Sequence, residues 1–318
     1  MFGATAAGFR RAFGSPMLVL AAWLLTVLAA LPVTVVLGYS LQQSFGRTLA
    51  AEPMAEGFDN SWYGEYRGSA KGIEQTFDPT LAGVGGVLAN LEAWADGSTF
   101  ERFSGLIGLA LLFALVWALF LGGAIERYAF VDGPRGIAAM LNAGGRYWGR
   151  FVRLALLSGA VYYGVYRLHH WLMDGLEVRL ADVTEETRAM WATLAVYAGT
   201  ALLLVLVRAC FDYAKIAIVI EDRRSALLSA VRGVVFVVTH PIRATGVVLL
   251  IAAVAVAPLA LYTWFRPAVV TPGWGGVIYV IVVGQAWMFA RLALRLTLLG
   301  AQTALYQSVG SSTMRGKL

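Results

Sequence analysis

The chain has 318 residues, of which 59% are hydrophobic and only 14% are charged, and its mean hydropathy is +0.69. Soluble domains carry roughly 25% charged residues, so this composition excludes an ordinary soluble domain and predicts an α-helical membrane protein with apolar runs long enough to cross a bilayer. The net charge of +6 does not indicate nucleic-acid binding, because the basic residues flank the apolar runs, where they set topology and meet anionic lipid.

The first predicted span, residues 16–37, follows Arg10 and Arg11 and is too long for the apolar core of a signal peptide. Residues 38–103 form a polar insertion with nine acidic and four basic residues, which predicts that it lies outside the membrane on the face opposite the arginines. Its aromatic residues predict a structured loop. Asp78 and Pro79 predict the start of an amphipathic helix that continues to Ala95 and either packs on its own domain or lies on the outer membrane surface.

Five further spans are predicted along the chain. The segments between them alternate between basic and acidic character, and the acidic segment 173–190 carries five acidic against two basic residues. This alternation predicts six transmembrane helices, both termini in the cytoplasm and a single membrane domain over residues 1–318. The five spans are 104–125, 154–172, a span from about 191 that runs on through 205–215, 242–265 and 277–306.

Two predicted cytoplasmic segments resemble each other. Asp132 and Arg135 precede one semi-polar helix, and Glu221 and Arg224 precede another, with an offset of 89 residues in each case. The pattern predicts repeated hairpins, each with a juxtamembrane helix on the cytoplasmic face. The alternative is that membrane topology alone requires arginine in each inner loop.

One of these segments carries a family resemblance. Glu221, then Ala226, Leu227 and Ser229, resembles the E…AL..S element of bacterial six-helix integral membrane proteins, a group that includes the membrane domain of some glycerophosphodiester phosphodiesterases. The resemblance implies a six-helix architecture and a location in a bacterial inner membrane. It implies no catalytic residue, because the phosphodiesterase catalytic domain has no counterpart in this chain. Parts of the external segment, 62–65, 76–79 and 90–91, resemble an uncharacterised bacterial membrane family.

The strongest candidate site residues are charges inside predicted spans. Arg208 and Asp212 are four residues apart, as are Arg291 and Arg295, so each pair shares one helical face. Ionisable groups at membrane depth are costly and pair with one another or with a ligand. Asp212 is expected to pair with Arg208 and to bridge to the two arginines of the sixth span. The four residues then bind lipid, an anion or a partner helix, or they form a structural ion-pair network that fixes helix register.

Motifs of the common enzyme classes are absent from the sequence, including the phosphate-binding loop, HExxH, G-x-S-x-G and CxxC. His170, Asp174 and Glu177 would share a helical face, but Gly175 weakens that helix and two further ligands are not evident, so no metal and no cofactor are predicted. The single cysteine, Cys210, excludes an internal disulfide.

The sequence therefore predicts a non-enzymatic inner-membrane protein that binds membrane lipids, anionic ones included, or partner membrane proteins in an accessory or scaffold role. Asp132, Arg135, Glu221 and Arg224 are its candidate cytoplasmic rim. One alternative is a transporter or channel for a small anionic solute that uses the four intramembrane charges. A third hypothesis, an intramembrane enzyme, would require Asp212 to act with Glu126 or Asp132.

Overall fold

The computed structural model describes residues 1–47, 59–77, 92–98, 106–130, 132–181, 185–265 and 273–315. Within these ranges the protein is 91% helical and has no strand, which confirms the predicted all-α class. A 3₁₀ turn, Gly72–Thr76, follows the third helix. The helices are α1 (Phe2–Phe13), α2 (Pro16–Arg47), α3 (Asn60–Ser69), α4 (Ile107–Ala129), α5 (Ile137–Leu180), α6 (Glu186–Ile220), α7 (Ala226–Thr239), α8 (Pro241–Phe265) and α9 (Trp274–Arg315).

Five helices of the described chain are long and apolar enough to cross a membrane. They correspond to five of the six predicted spans and match the expectation of a multi-pass protein. A shorter apolar helix, α7, lies between two of them. The five segments are Pro16–Gly46, Ile107–Ala129, Glu186–Ile220, Pro241–Phe265 and Trp274–Val309.

The third predicted span, 154–172, lies inside α5, which is not one of these five helices. At 44 residues α5 is the longest described helix, so length is not what separates it from the others. Its second half carries Arg167, His169 and His170 among tyrosines, and these side chains lower its hydropathy. Five of the six predicted spans are therefore found, within the described residues, as helices long and apolar enough to cross a membrane, and the third is part of the less apolar α5.

The chain divides into two compact units. Unit 1 contains Met1–Leu18, Leu115–Ala253 and Ala293–Leu318, and unit 2 contains Val19–Ala114 and Val254–Leu292. Unit 1 holds α1, α5, α6, α7 and the adjoining parts of α4 and α9, so most of the predicted site residues lie in it.

Close helix crossings in unit 1 occur at glycines. A Cβ atom on Gly144 of α5 would lie 1.9 Å from the carbonyl oxygen of Leu119 on α4, and one on Gly233 of α7 would lie 2.1 Å from that of Cys210 on α6. Gly8 of α1 meets α9 in the same way, with a Cβ position 2.5 Å from the carbonyl oxygen of Thr297. Each distance is shorter than van der Waals contact, so only glycine allows these backbones to approach so closely.

These crossings support and extend the predicted repeat. The helix starts Ile137 and Ala226 are 89 residues apart, as are Gly144 and Gly233, the offset already seen in the acid and arginine of the preceding loops. The α1 crossing adds a third copy, in which the chain's first helix packs on its last one. The rest of the contact also repeats. Each glycine faces the carbonyl oxygen of one residue on the partner helix and, four positions further along that helix, a small residue, which is Gly123, Ala214 or Ala301.

Two of the three copies continue into the next helix through a proline. Pro16 begins α2 and Pro241 begins α8, each eight residues after the crossing glycine of α1 or α7. Proline is favoured at the first position of a helix because its missing N–H has no intrahelical partner there. The copy at the start of α5 lacks this proline, and α5 continues without a break to Leu180.

Unit 2 contains an aromatic cluster between α2 and α3. Trp62 is 3% exposed and stacks on Phe45, with ring centroids 4.5 Å apart, and its indole N–H donates to Ser44. Asp59 caps α3 by accepting hydrogen bonds from Ser61 and Trp62. The predicted external insertion is thus ordered where it is described, at 59–77 and 92–98, whereas most of the helix predicted from Asp78 lies outside the described residues.

Candidate functional site

Asp212 is held by three neighbours in unit 1. Its Oδ1 accepts a 2.5 Å hydrogen bond from Lys215 Nζ, one turn further along α6. Its Oδ2 lies 3.8 Å from Arg208 Nε, which places the predicted ion pair within one helix, and accepts from Gln302 Nε2 of α9 at 3.3 Å. Both carboxylate oxygens therefore have partners, as a buried charge requires.

The expected bridge from Asp212 to the arginines of the last helix is not the one observed. Arg295 lies in unit 1, with its guanidinium carbon 4.0 Å from the centre of the Trp117 ring, a cation–π geometry. Arg291 is exposed and belongs to unit 2. The residue of α9 that reaches Asp212 is a neutral amide, Gln302, because α9 turns that polar side chain toward α6.

Glu221, a predicted rim residue, joins three parts of unit 1. Its Oε1 accepts a hydrogen bond from the Tyr306 hydroxyl of α9 and lies 3.4 Å from Arg232 Nε of α7. Its Oε2 pairs with Arg223 in the loop between α6 and α7. The carboxylate thus fixes the end of α6 against the start of α7 and against α9, which is a structural role in this geometry.

The environment of Glu221 predicts acid sensitivity. Partial burial alone would raise the pKa of Glu221, but the hydrogen bonds from Tyr306 and Arg223 and the charges of Arg223 and Arg232 outweigh it and hold the pKa below its ordinary value of 4.5. Because the folded-state pKa is lowered, the stabilisation is complete above the unfolded value and is lost as the pH falls through the folded one.

We therefore expect the melting temperature of the wild type to fall more steeply below about pH 4.5 than that of Glu221→Gln. Glu177→Gln, at an exposed position of α5 in the same unit, is the matched control and should keep the wild-type pH profile. Thermal melts in detergent between about pH 7 and pH 3.5 measure the difference. Parallel profiles for wild type and Glu221→Gln would show that this network contributes nothing to acid stability.

The loop after Glu221 connects to α5. Arg150 donates from Nη1 to Asp222 Oδ1 at 2.6 Å and to the carbonyl oxygen of Arg223 at 3.3 Å. Its guanidinium carbon lies 5.5 Å from the centre of the Tyr147 ring. Asp222 has a φ of +48°, a left-handed conformation that Asp tolerates better than most residues. This contact holds the start of α7 close to α5.

Arginines gather at this end of unit 1, and we call the set the arginine rim. Within it, Arg146 pairs with Glu126 of α4. Arg135 and Asp132, the other two predicted rim residues, are exposed and make no hydrogen bond or ion pair with the described residues. The arginine rim consists of Arg146, Arg150, Arg153, Arg223, Arg224 and Arg232.

A groove of about 520 Å³ opens beside the arginine rim, between α5 and the start of α7. Its basic lining is Arg153 and Arg224, the second of which was predicted as a rim residue. The other lining residues are Leu157, Ser225, Ala226 and Leu227. The groove thus combines two cations with an apolar wall, and none of the described carboxylates lines it.

Several residues of these clusters were not predicted as partners. Gln302 and Tyr306 are polar residues four positions apart in an apolar helix, so they share a face, and that spacing was the available signal. Lys215 is three residues after Asp212 on the same face of α6, so that spacing was its signal. Arg153 gave no signal in the sequence beyond its charge, because its groove exists only once α5 and α7 are packed.

Within the described ranges, no group of three or more His, Cys, Asp or Glu side chains is placed to hold a metal ion. Comparisons with protein-family models, with curated proteins and with solved structures find no match to this chain.

Proposed function

We propose that the chain is a non-enzymatic helical protein of the bacterial inner membrane that binds anionic lipids or partner membrane proteins in an accessory or scaffold role. The observation that carries this proposal is the outer face of α7. The leucines and valines of this face are 46–71% exposed. The arginine rim lies next to the same helix. An apolar face flanked by arginines suits the boundary between lipid headgroups and acyl chains. The exposed residues of this face are Leu227, Leu228, Val231, Val234, Val235 and Val238.

The same proposal includes the topology. Six transmembrane helices, with α5 as the third, place both termini and the arginine rim in the cytoplasm and the insertion 38–103 outside. The charge alternation of the loops supports this orientation. The proposed likeness to the membrane domain of glycerophosphodiester phosphodiesterases concerns this architecture and includes no catalysis.

The contacts of Asp212 bear on the alternative of anion transport. Its carboxylate is already engaged by Lys215, Arg208 and Gln302, an arrangement that favours a structural ion pair. A transport site for an anion would keep positive charge available to the solute. Here the two cations, Lys215 and Arg208, both pair with the Asp212 carboxylate.

Purification from native membranes in mild detergent tests the proposal, with mass spectrometry of all lipids and proteins that remain bound. We expect anionic phospholipid or a specific membrane protein to be retained above the level seen with an unrelated helical membrane protein. Retention of neither would overturn the proposal. Proteoliposomes provide the second measurement, and uptake of a small anion that Asp212→Ala abolishes in a folded protein would establish transport instead.

A further inference from the structure

The groove between α5 and α7 has two arginines, Arg153 and Arg224, that form no ion pair with a carboxylate of the described residues. Among the described residues, Arg153 donates only to the carbonyl oxygen of Gly149 in its own helix, at 3.1 Å. Arg224 makes no hydrogen bond or ion pair with any described residue. The rest of the arginine rim differs, because Arg146, Arg150, Arg223 and Arg232 each pair with a glutamate or an aspartate. The two arginines of the groove therefore have donors available for an anion.

The start of α7 adds further donors at the same place. Ser225 is the N-cap, and its hydroxyl accepts from the N–H of Leu228. The N–H groups of Ala226 and Leu227, which line the groove, have no partner within the helix, because the first turn of any helix lacks carbonyls to accept from them. Such N–H groups favour a phosphate oxygen, so they strengthen the attraction of the two guanidinium groups for an anion.

The remaining wall is apolar. Leu157 follows Arg153 by one turn of α5, and Leu227 is 63% exposed. Leu227 also begins the exposed apolar face of α7. A ligand that fills the groove thus has an anionic part against the arginines and a hydrocarbon part continuing along α7. This combination describes a phospholipid rather than a small soluble anion.

We propose that this groove binds the phosphate of an anionic phospholipid between Arg153 and Arg224, with one acyl chain on Leu157 and Leu227. The inference rests on the proposed function, since it requires the arginine rim to lie at headgroup depth. It also makes that function specific, because it assigns lipid recognition to two arginines and leaves the other four to ion pairs within the protein.

Native mass spectrometry of the full chain, titrated with phosphatidylglycerol in mild detergent, tests the assignment. Each arginine near a membrane phosphate contributes about 1 kcal/mol, so Arg153→Gln/Arg224→Gln should bind roughly 30-fold more weakly than the wild type, and each single variant about 5-fold. Arg224→Lys keeps the charge and should lose less than Arg224→Gln. Phosphatidylcholine should bind more weakly than phosphatidylglycerol, and the preference should shrink in high salt.

The matched control is Arg179→Gln/Arg188→Gln, which removes the same charge at two exposed positions at the other end of α5 and the start of α6. It should bind phosphatidylglycerol as the wild type does. Equal binding by the groove variant and the wild type would overturn the groove assignment and leave the proposed function standing. Wild-type binding of inorganic phosphate as tight as that of phosphatidylglycerol would also overturn the lipid assignment. No lipid binding by the wild type would overturn the groove assignment and the lipid part of the proposed function, and it would leave partner-protein binding to be decided by the purification from native membranes.

Discussion

Asp212→Ala is expected to destabilise the protein by about 3 kcal/mol, because it removes the partner of a cation that stays inside the bundle. Lys215 lies 2.5 Å from Asp212 and is only 27% exposed, so its ammonium group would lose its principal acceptor. Gln302 would lose its bond to the carboxylate as well. The measurement is unfolding of the purified protein in mixed detergent micelles, followed by helicity.

A second substitution separates a structural role from a transport role. Asp212→Ala/Lys215→Ala removes both charges and should recover much of the lost stability, because removing a whole ion pair costs far less than stranding one member. Arg208→Ala should have a small effect, since Arg208 is 55% exposed and 3.8 Å from the carboxylate. If the double variant is no more stable than Asp212→Ala, the unpaired charge of Lys215 is not the cause of the destabilisation.

Gly144→Ala is expected to cost about 2 kcal/mol or more, although alanine favours a helix over glycine. The new Cβ would meet the carbonyl oxygen of Leu119 at 1.9 Å. Since this contact is with backbone, α4 and α5 must move apart, and the close packing around the crossing is lost. Melting temperature and the yield of monodisperse protein measure the effect.

The adjacent glycine provides the control. A Cβ on Gly145 has nothing within 4 Å, so Gly145→Ala should be neutral or should stabilise the protein by up to about 1 kcal/mol. Gly233→Ala and Gly8→Ala should destabilise it in the same direction as Gly144→Ala, because their crossings have the same geometry. Opposite signs among the three would contradict the structural equivalence of the repeats.

The helices were predictable because their signals are local. Runs of apolar residues near the length of a bilayer crossing located five of them, and in the structure two of these helices begin at a proline, Pro16 or Pro241. The repeat was visible as a shared offset of acid and arginine. The third predicted span, 154–172, lies inside α5, which is less apolar than the other five and continues past the predicted rim of arginine and histidine to Leu180.

The partners of the charges were less predictable, because pairing depends on which helix faces which. Arg208 and Asp212 share one helix, so spacing alone indicated their ion pair. To predict which residue of α9 contacts Asp212, the rotation of α9 about its own axis must be known. In the structure Gln302 lies against Asp212, and Arg295 stacks on Trp117. Similarly, nothing in the sequence around Arg150 indicates that it reaches Asp222, 72 residues away.

The contact of α1 with α9 has a consequence for biosynthesis. Gly8 packs on Ala301, and Arg11 donates to the carbonyl oxygen of Gly300 and to Gln307. These partners are nearly 300 residues later in the chain, so α1 emerges from the ribosome long before its docking surface exists. The other two crossings join neighbours in sequence and can form during translation. Docking of α1 onto α9 must therefore be a late step in the assembly of unit 1, because it requires that α9 has already been synthesised.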